Sequence, residues 1–194
     1  ANGNLLLNQL LGAKIDYVSD QAFEGLDALY ERKAAQLKAS GERPYLIPIG
    51  ASDELGLWGY IQAAKELATD FASAQIKPSC IVTAVGSGGT YAGLLVGQAL
   101  YKLALPVIGI CVSRNARFFE RKAAIDTARW QKRFQSTLDP EPGRLRDDFI
   151  GDGYGIAAPE VYRLIAWLAQ LEGIILDPVY TAKAFQGLIQ MIQQ

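Results

Sequence analysis

Residues 80–93 read CIVTAVGSGGTYAG, and this stretch decides the fold. An apolar run, Cys80 to Val85, passes directly into Gly86, Gly88 and Gly89, and a helical pattern then begins near Thr90. A strand that turns through glycines into a helix is the joint of an α/β unit. Glycine lets backbone approach a ligand closely, and the unpaired N–H groups of a helix start favour an anion. Ser87 and Thr90 add hydroxyl donors, so a phosphate is the natural guest. No Lys follows the glycines, so this is not a P-loop. Counted from Gly86, Tyr91 stands where a dinucleotide-binding turn needs its third glycine. Taken alone, the stretch could also be no more than a tight turn.

Outward from it, strand-like and helix-like segments alternate. Ala13–Val18, Tyr45–Ile49, Cys80–Val85, Val107–Val112 and Ile174–Leu176 read as strands. Helical periodicity covers a segment capped by Asp20 with Phe23, Leu26, Tyr30 and Leu37 on one face. It recurs from Ser52, as N-cap, through Leu57, Ile61, Ala64, Leu67 and Phe71. Further helices are expected near Gly88–Leu103, from the basic stretch to about Ser136, near Pro159–Leu171, and from about Thr181. Asp139-Pro140-Glu141-Pro142-Gly143 is the clearest loop. Continuous apolar strands separated by helices predict an α/β fold, a mostly parallel sheet with helices on both faces.

Three more junctions could carry chemistry. Pro48-Ile49-Gly50-Ala51-Ser52 repeats the strand-to-helix placement, although a capped loop accounts for it slightly better. Gly151-Asp152-Gly153-Tyr154-Gly155 is a flexible loop holding one phenol. Leu176-Asp177-Pro178-Val179-Tyr180-Thr181 lies where a strand gives way to a helix, and ligands of open α/β sheets gather at the carboxyl ends of strands. Thr181 could equally be a helix cap.

Composition removes several function classes. The chain has 194 residues, with 19 Lys and Arg against 20 Asp and Glu, and so lacks the overall positive charge of a nucleic-acid binder. Arg114, Arg117, Arg121, Lys122, Arg129, Lys132 and Arg133 alternate with apolar residues at helical spacing. They read as the solvated face of an amphipathic helix, with an anionic partner surface as the alternative. There is no histidine, which excludes His-based triads and the common zinc sites. Cys80 and Cys111 have no metal-ligand spacing and read as buried reduced thiols. No apolar run approaches the ~20 residues that span a bilayer, and the expected location is the cytoplasm.

The segments ANGNLLLNQLLGA (1–13), PYLIPIGAS (44–52), GLWGY (56–60), GSGGTYAGL (86–94), GDGYG (151–155) and EGIILDPVYTAKAFQGL (172–188) together carry a resemblance. In that order and spacing the chain resembles the family of D-cysteine desulfhydrase, L-cysteate sulfo-lyase and 1-aminocyclopropane-1-carboxylate deaminase. These are pyridoxal-phosphate enzymes of the tryptophan-synthase-β-like, fold-type II architecture. The resemblance implies that Gly86, Ser87, Gly88, Gly89 and Thr90 hold the phosphate of pyridoxal 5'-phosphate and that Thr181 meets its pyridine nitrogen. It implies that Tyr180 and Tyr154 line the substrate side as catalytic residues.

In the deaminase branch a glutamate follows the motif's tyrosine. Thr181 at that place resembles the desulfhydrase and cysteate-lyase branch, and Ala182 replaces a usual glycine. The implied activity is β-elimination of a small amino acid, D-cysteine to pyruvate, sulfide and ammonia. L-cysteate sulfo-lyase or deaminase-like activity, a non-catalytic phosphate-ligand fragment and a structural subunit are the alternatives. The family's cofactor-anchoring lysine, in a GGNK-like motif, has no counterpart here, and Lys183 does not match it. The chain is thus expected to be a fragment, inactive alone, with 1–50 the remainder of a smaller domain and 51–194 a truncated larger cofactor-binding domain. The resemblance implies a homodimer for the intact enzyme, with neither nucleic acid nor a membrane as partner.

Overall fold

The computed structural model describes residues 3–193. The chain divides into two compact units, Ala1–Ile47 and Pro48–Gln194. Of the 1–13 motif, Ala1 and Asn2 lie outside the described residues.

The first unit holds three helices, α1 (Gly3–Leu10), α2 (Asp20–Glu24) and α3 (Leu26–Ala39). The expected single helix through Phe23 and Leu37 is broken at Gly25, whose φ of −100° and ψ of 32° depart from helical values. Its cap is Ser19 rather than Asp20: the Ser19 hydroxyl accepts the Ala22 N–H at 3.3 Å. A strand requires a partner to take its backbone hydrogen bonds, and neither Ala13–Val18 nor Tyr45–Ile49 has one among the described residues. Ala13–Val18 and residues 45–48 carry no regular secondary structure, and Tyr17, Tyr45 and Ile47 are exposed.

The second unit carries the α/β order. After a 3-10 turn at Ile49–Ala51 come α4 (Leu57–Ala74), β1 (Ile81–Val85), α5 (Gly89–Leu100), β2 (Val107–Cys111) and α6 (Ala116–Phe134). β3 (Arg144–Arg146), α7 (Pro159–Glu172) and α8 (Thr181–Ile192) follow. The sheet order is β1-β2-β3, all parallel, with Val85 opposite Cys111 and Ile110 opposite Arg146. The helices flank it as expected.

The core sits between β1, β2, α4, α5 and α6, where Leu57, Ile61, Val85, Val96, Val107, Cys111, Phe119 and Trp130 are buried. α4 and α5 approach closely because α5 shows glycine to α4. A Cβ on Gly93 would lie 2.7 Å from the Leu57 carbonyl, and one on Gly97 would lie 2.5 Å from Ala64 Cβ.

Other expectations need correction. β3 reads Arg-Leu-Arg, whose charges conceal a short edge strand. Ile174–Leu176 has no ladder partner among the described residues, and Ile175 is 82% exposed. Ser52 does not cap α4, which starts five residues later. Asp53 Oδ1 instead accepts the N–H groups of Leu55 and Gly56 at 3.0 and 2.8 Å. Cys111 is buried as expected, with its thiol pushed up to about 12 by loss of solvation, whereas Cys80 is only half-buried. Among the described residues, no helix is long and apolar enough to cross a membrane and no side-chain cluster could hold a metal ion.

Candidate functional site

The site is built at the carboxyl ends of β1 and β2. Gly86 follows β1, and its carbonyl accepts a 2.8 Å hydrogen bond from Ser113 Oγ, just beyond β2. Gly88 precedes α5 with φ of +98°, a left-handed value that favours glycine and turns the chain into the helix. The first N–H groups of a helix have no intrahelical acceptor. Here Gly89 N–H donates to Ser52 Oγ at 3.1 Å. The N–H groups of Ser87, Gly88, Thr90 and Tyr91 have no acceptor among the described residues outside their own helix. Four donors around one glycine turn form an anion cradle.

Ser52 is the residue that sequence reasoning placed but misassigned. Its hydroxyl, 4% exposed, accepts from Gly89 and donates to Ser87 Oγ at 2.6 Å. Ser87 therefore accepts within the protein and keeps its own proton available for an incoming oxyanion. The Ser52 carbonyl in turn accepts from Lys122 Nζ at 2.9 Å. Lys122 also meets buried Asp126 at 2.5 Å and packs its stem beside Gly88. It thus leaves the solvated basic face expected of α6. Burial raises the Asp126 carboxyl above the usual carboxylate range, with Lys122 opposing that rise.

On the other side of the turn stands the start of α8. A Cβ on Gly86 would lie 2.7 Å from Tyr180 Cε1, so the ring rests directly on the cradle. Tyr180 and Tyr154 share a hydrogen bond between their hydroxyls, with ring centroids 5.8 Å apart and the planes at 69°. The Tyr154 hydrogen bond and partial burial push the Tyr180 phenol up to about 12.

Thr181 lies one residue on, and its hydroxyl is engaged locally. Oγ1 accepts the Asp177 N–H at 2.8 Å and donates to Asp177 Oδ2 at 2.6 Å. Asp177 also accepts the N–H groups of Val179, Tyr180 and Thr181, so it caps α8. Burial alone would raise its carboxyl, but these hydrogen bonds outweigh burial and hold it below the usual range. Gly86, Ser87, Gly88, Gly89, Thr90, Tyr154, Tyr180 and Thr181 thus converge on one end of the sheet. Ser52, Ser113, Lys122 and Asp177 join them. A solvent-facing groove of about 480 Å³, lined by Glu54, Arg129, Lys132 and Arg133, is a separate feature.

Over residues 1–194 the chain matches the family described as "Pyridoxal-phosphate dependent enzyme". It is 38% identical, over 99% of its length, to a protein of Thermotoga maritima. It is 36% identical, again over 99%, to one of Pyrococcus abyssi. Both relatives are named "Putative 1-aminocyclopropane-1-carboxylate deaminase". The alignments take in 61% and 58% of those proteins, so the chain spans about six tenths of the curated relatives it matches. A solved structure described as an ACC deaminase homologue agrees with a TM-score of 0.86 at 35% identity. That match covers 97% of this chain and 57% of the other.

Proposed function

The chain belongs to the pyridoxal-phosphate-dependent enzyme family, and from that premise we propose that the intact protein is a lyase of the D-cysteine desulfhydrase type. It would release sulfide, pyruvate and ammonia from D-cysteine. The observation that carries this reading is the contact of the Tyr180 ring with Gly86, which joins an anion cradle to a phenol pair and a neutral hydroxyl, Thr181.

The cradle suits the cofactor's phosphate. The turn offers free N–H donors, and side chains at Gly86 and Gly89 would meet Tyr180 and Ser52 at 2.7 and 2.6 Å. The N–H groups of Ser87, Gly88 and Thr90, with the Ser87 and Thr90 hydroxyls, would hold it. Bound there, the cofactor supplies an electron-withdrawing ring that acidifies the substrate's α-carbon. Thr181 Oγ1, which accepts the Asp177 N–H and gives its proton to Asp177 Oδ2, would be an uncharged hydroxyl partner for the ring nitrogen. A glutamate at that place would bring a full negative charge. Thr181 brings none, which favours elimination over ring opening. Tyr180 holds its proton throughout the neutral range, so it serves as a donor to the departing sulfur rather than as a base.

The names of the relatives favour a second reading, deaminase-like ring opening of 1-aminocyclopropane-1-carboxylate. We further assign Pro48–Gln194 to the larger cofactor-binding domain and Ala1–Ile47 to part of the smaller one. The intact enzyme is read as a cytoplasmic homodimer acting on a small amino acid. Assay of the full-length protein with cofactor, on D-cysteine, L-cysteate and 1-aminocyclopropane-1-carboxylate, decides between the readings. Sulfide and pyruvate from D-cysteine, lost in Tyr180→Phe, support the proposal. Preferential ring opening by the unaltered protein overturns it.

A further inference from the structure

We propose that Lys183 is a positioning residue, whose buried ammonium ties down the 150–153 loop and so sets Tyr154 against Tyr180. The inference rests on reading that tyrosine pair as the substrate side of the site.

Lysine is almost never fully buried without a partner, yet Lys183 is 1% exposed. Among the described residues no carboxylate lies within salt-bridge distance of it. Its Nζ donates instead to the carbonyls of Ile150 at 2.7 Å and Gly153 at 3.1 Å. Burial lowers its pKa, and Asp152, at longer range, opposes that fall. Burying an ammonium on two neutral carbonyls costs free energy that packing alone does not require, since an apolar side chain would fill the same space.

What those two carbonyls belong to explains the arrangement. Gly151, Gly153 and Gly155 all have positive φ, at +66°, +141° and +77°. Three such glycines leave the free loop many conformations. The loop's own backbone bond in this stretch is Ile156 N–H to the Gly153 carbonyl, at 3.3 Å. Lys183 supplies two more, from outside the loop. It sits on α8 three residues beyond Tyr180, the N-cap of that helix, so the second phenol and the anchor belong to one continuous element. The anchor holds the residue before Tyr154, and Tyr154 then bonds Tyr180. Without it the two hydroxyls would meet only by chance, and a misplacement of about 1 Å can cost on the order of 100-fold in rate.

The test uses the full-length holoenzyme carrying Lys183→Met, Tyr154→Phe or both. Lys183→Met keeps an unbranched side chain out to Cε and removes the ammonium donors. The expected results are a loss in kcat/KM of roughly 10–100-fold that does not multiply with the Tyr154→Phe loss. The Tyr180 phenol should also fall from about 12 toward an ordinary tyrosine value. Lys183→Gln, which keeps an N–H donor without charge, should restore part of both, and it carries the test alone if the Met variant does not fold. Unchanged Tyr180 titration in a folded Lys183→Met protein overturns the inference, as do losses that multiply fully. If Tyr154→Phe alone leaves turnover intact, the substrate-side reading fails, while the Tyr180 titration still decides the role of Lys183.

Discussion

Ser52 caps a helix that begins 37 residues after it: its hydroxyl accepts the Gly89 N–H at 3.1 Å, although Ser52 stands just before a different helix. The bond joins the 48–52 loop to the glycine turn at 86–89 and orders Ser87 through a second contact of 2.6 Å.

Ser52→Ala therefore tests the cradle without entering it. Loss of a helix N-cap costs about 1 kcal/mol, and this one is buried, so the denaturation midpoint should fall measurably. Gly89 N–H is then left unpaired and Ser87 is free to rotate, so affinity for the cofactor phosphate should drop several-fold in a fluorescence titration. Unchanged affinity would mean that Ser52 supports α5 alone.

Gly86→Ala tests the contact between the cradle and Tyr180. The added methyl would lie 2.7 Å from Tyr180 Cε1, so the ring has to move. Overpacking of this kind costs about 1–3 kcal/mol. Tyr180→Leu, a smaller side chain, should recover part of that stability in the double variant, because residues in contact are not additive. Additive losses in urea denaturation would show that the two do not press on each other.

Legibility in the sequence followed how local the cause was. Cys80–Val85 and Val107–Val112 were readable because a buried parallel strand is a continuous apolar run. The four junction loops were readable because Gly, Pro and hydroxyl residues punctuate them. Ala13–Val18, Tyr45–Ile49 and Ile174–Leu176 have the same apolar texture but lack a ladder partner, and no single segment encodes its partner. β3 was hidden for the reverse reason, since Arg144 and Arg146 break the pattern while neighbouring β2 supplies the hydrogen bonds. In the site, the glycines and tyrosines declared themselves. The contacts of Ser52, Lys122 and Lys183 span 30 to 70 residues of chain, where periodicity has no reach.

Tyr154→Phe tests the phenol pair directly. The Tyr154 hydroxyl is the largest cause of the rise of Tyr180 to about 12, with burial second. Removing it should bring Tyr180 down, though not fully to 10.0, because burial remains. A tyrosinate absorbance titration, compared with Tyr180→Phe to identify the signal, reads the change. A Tyr180 value that stays near 12 would assign the shift to burial alone.

The Lys122–Asp126 pair makes a pH prediction whose sign follows from burial. Asp126 is 1% exposed and burial raises its carboxyl above the ordinary aspartate value of 3.8. A carboxyl raised in the folded state binds more protons there than in the unfolded chain. Stability is therefore greatest below the unfolded value and declines as pH rises through the folded one. Lys122 limits that decline by stabilising the charge. Lys122→Met should raise the Asp126 carboxyl further and widen the declining window, so the variant's deficit should grow from about pH 4 upward. Breaking a fully buried pair costs ~3–5 kcal/mol. Because the Lys122 side chain is 29% exposed, a neutral-pH deficit of about 2–3 kcal/mol is expected. Adding Asp126→Asn should flatten the pH dependence, since nothing then titrates at that position. Urea denaturation at pH 4 and at neutral pH measures all three proteins, and a Lys122→Met deficit equal at both would show that Lys122 acts through packing and its bond to the Ser52 carbonyl rather than through Asp126.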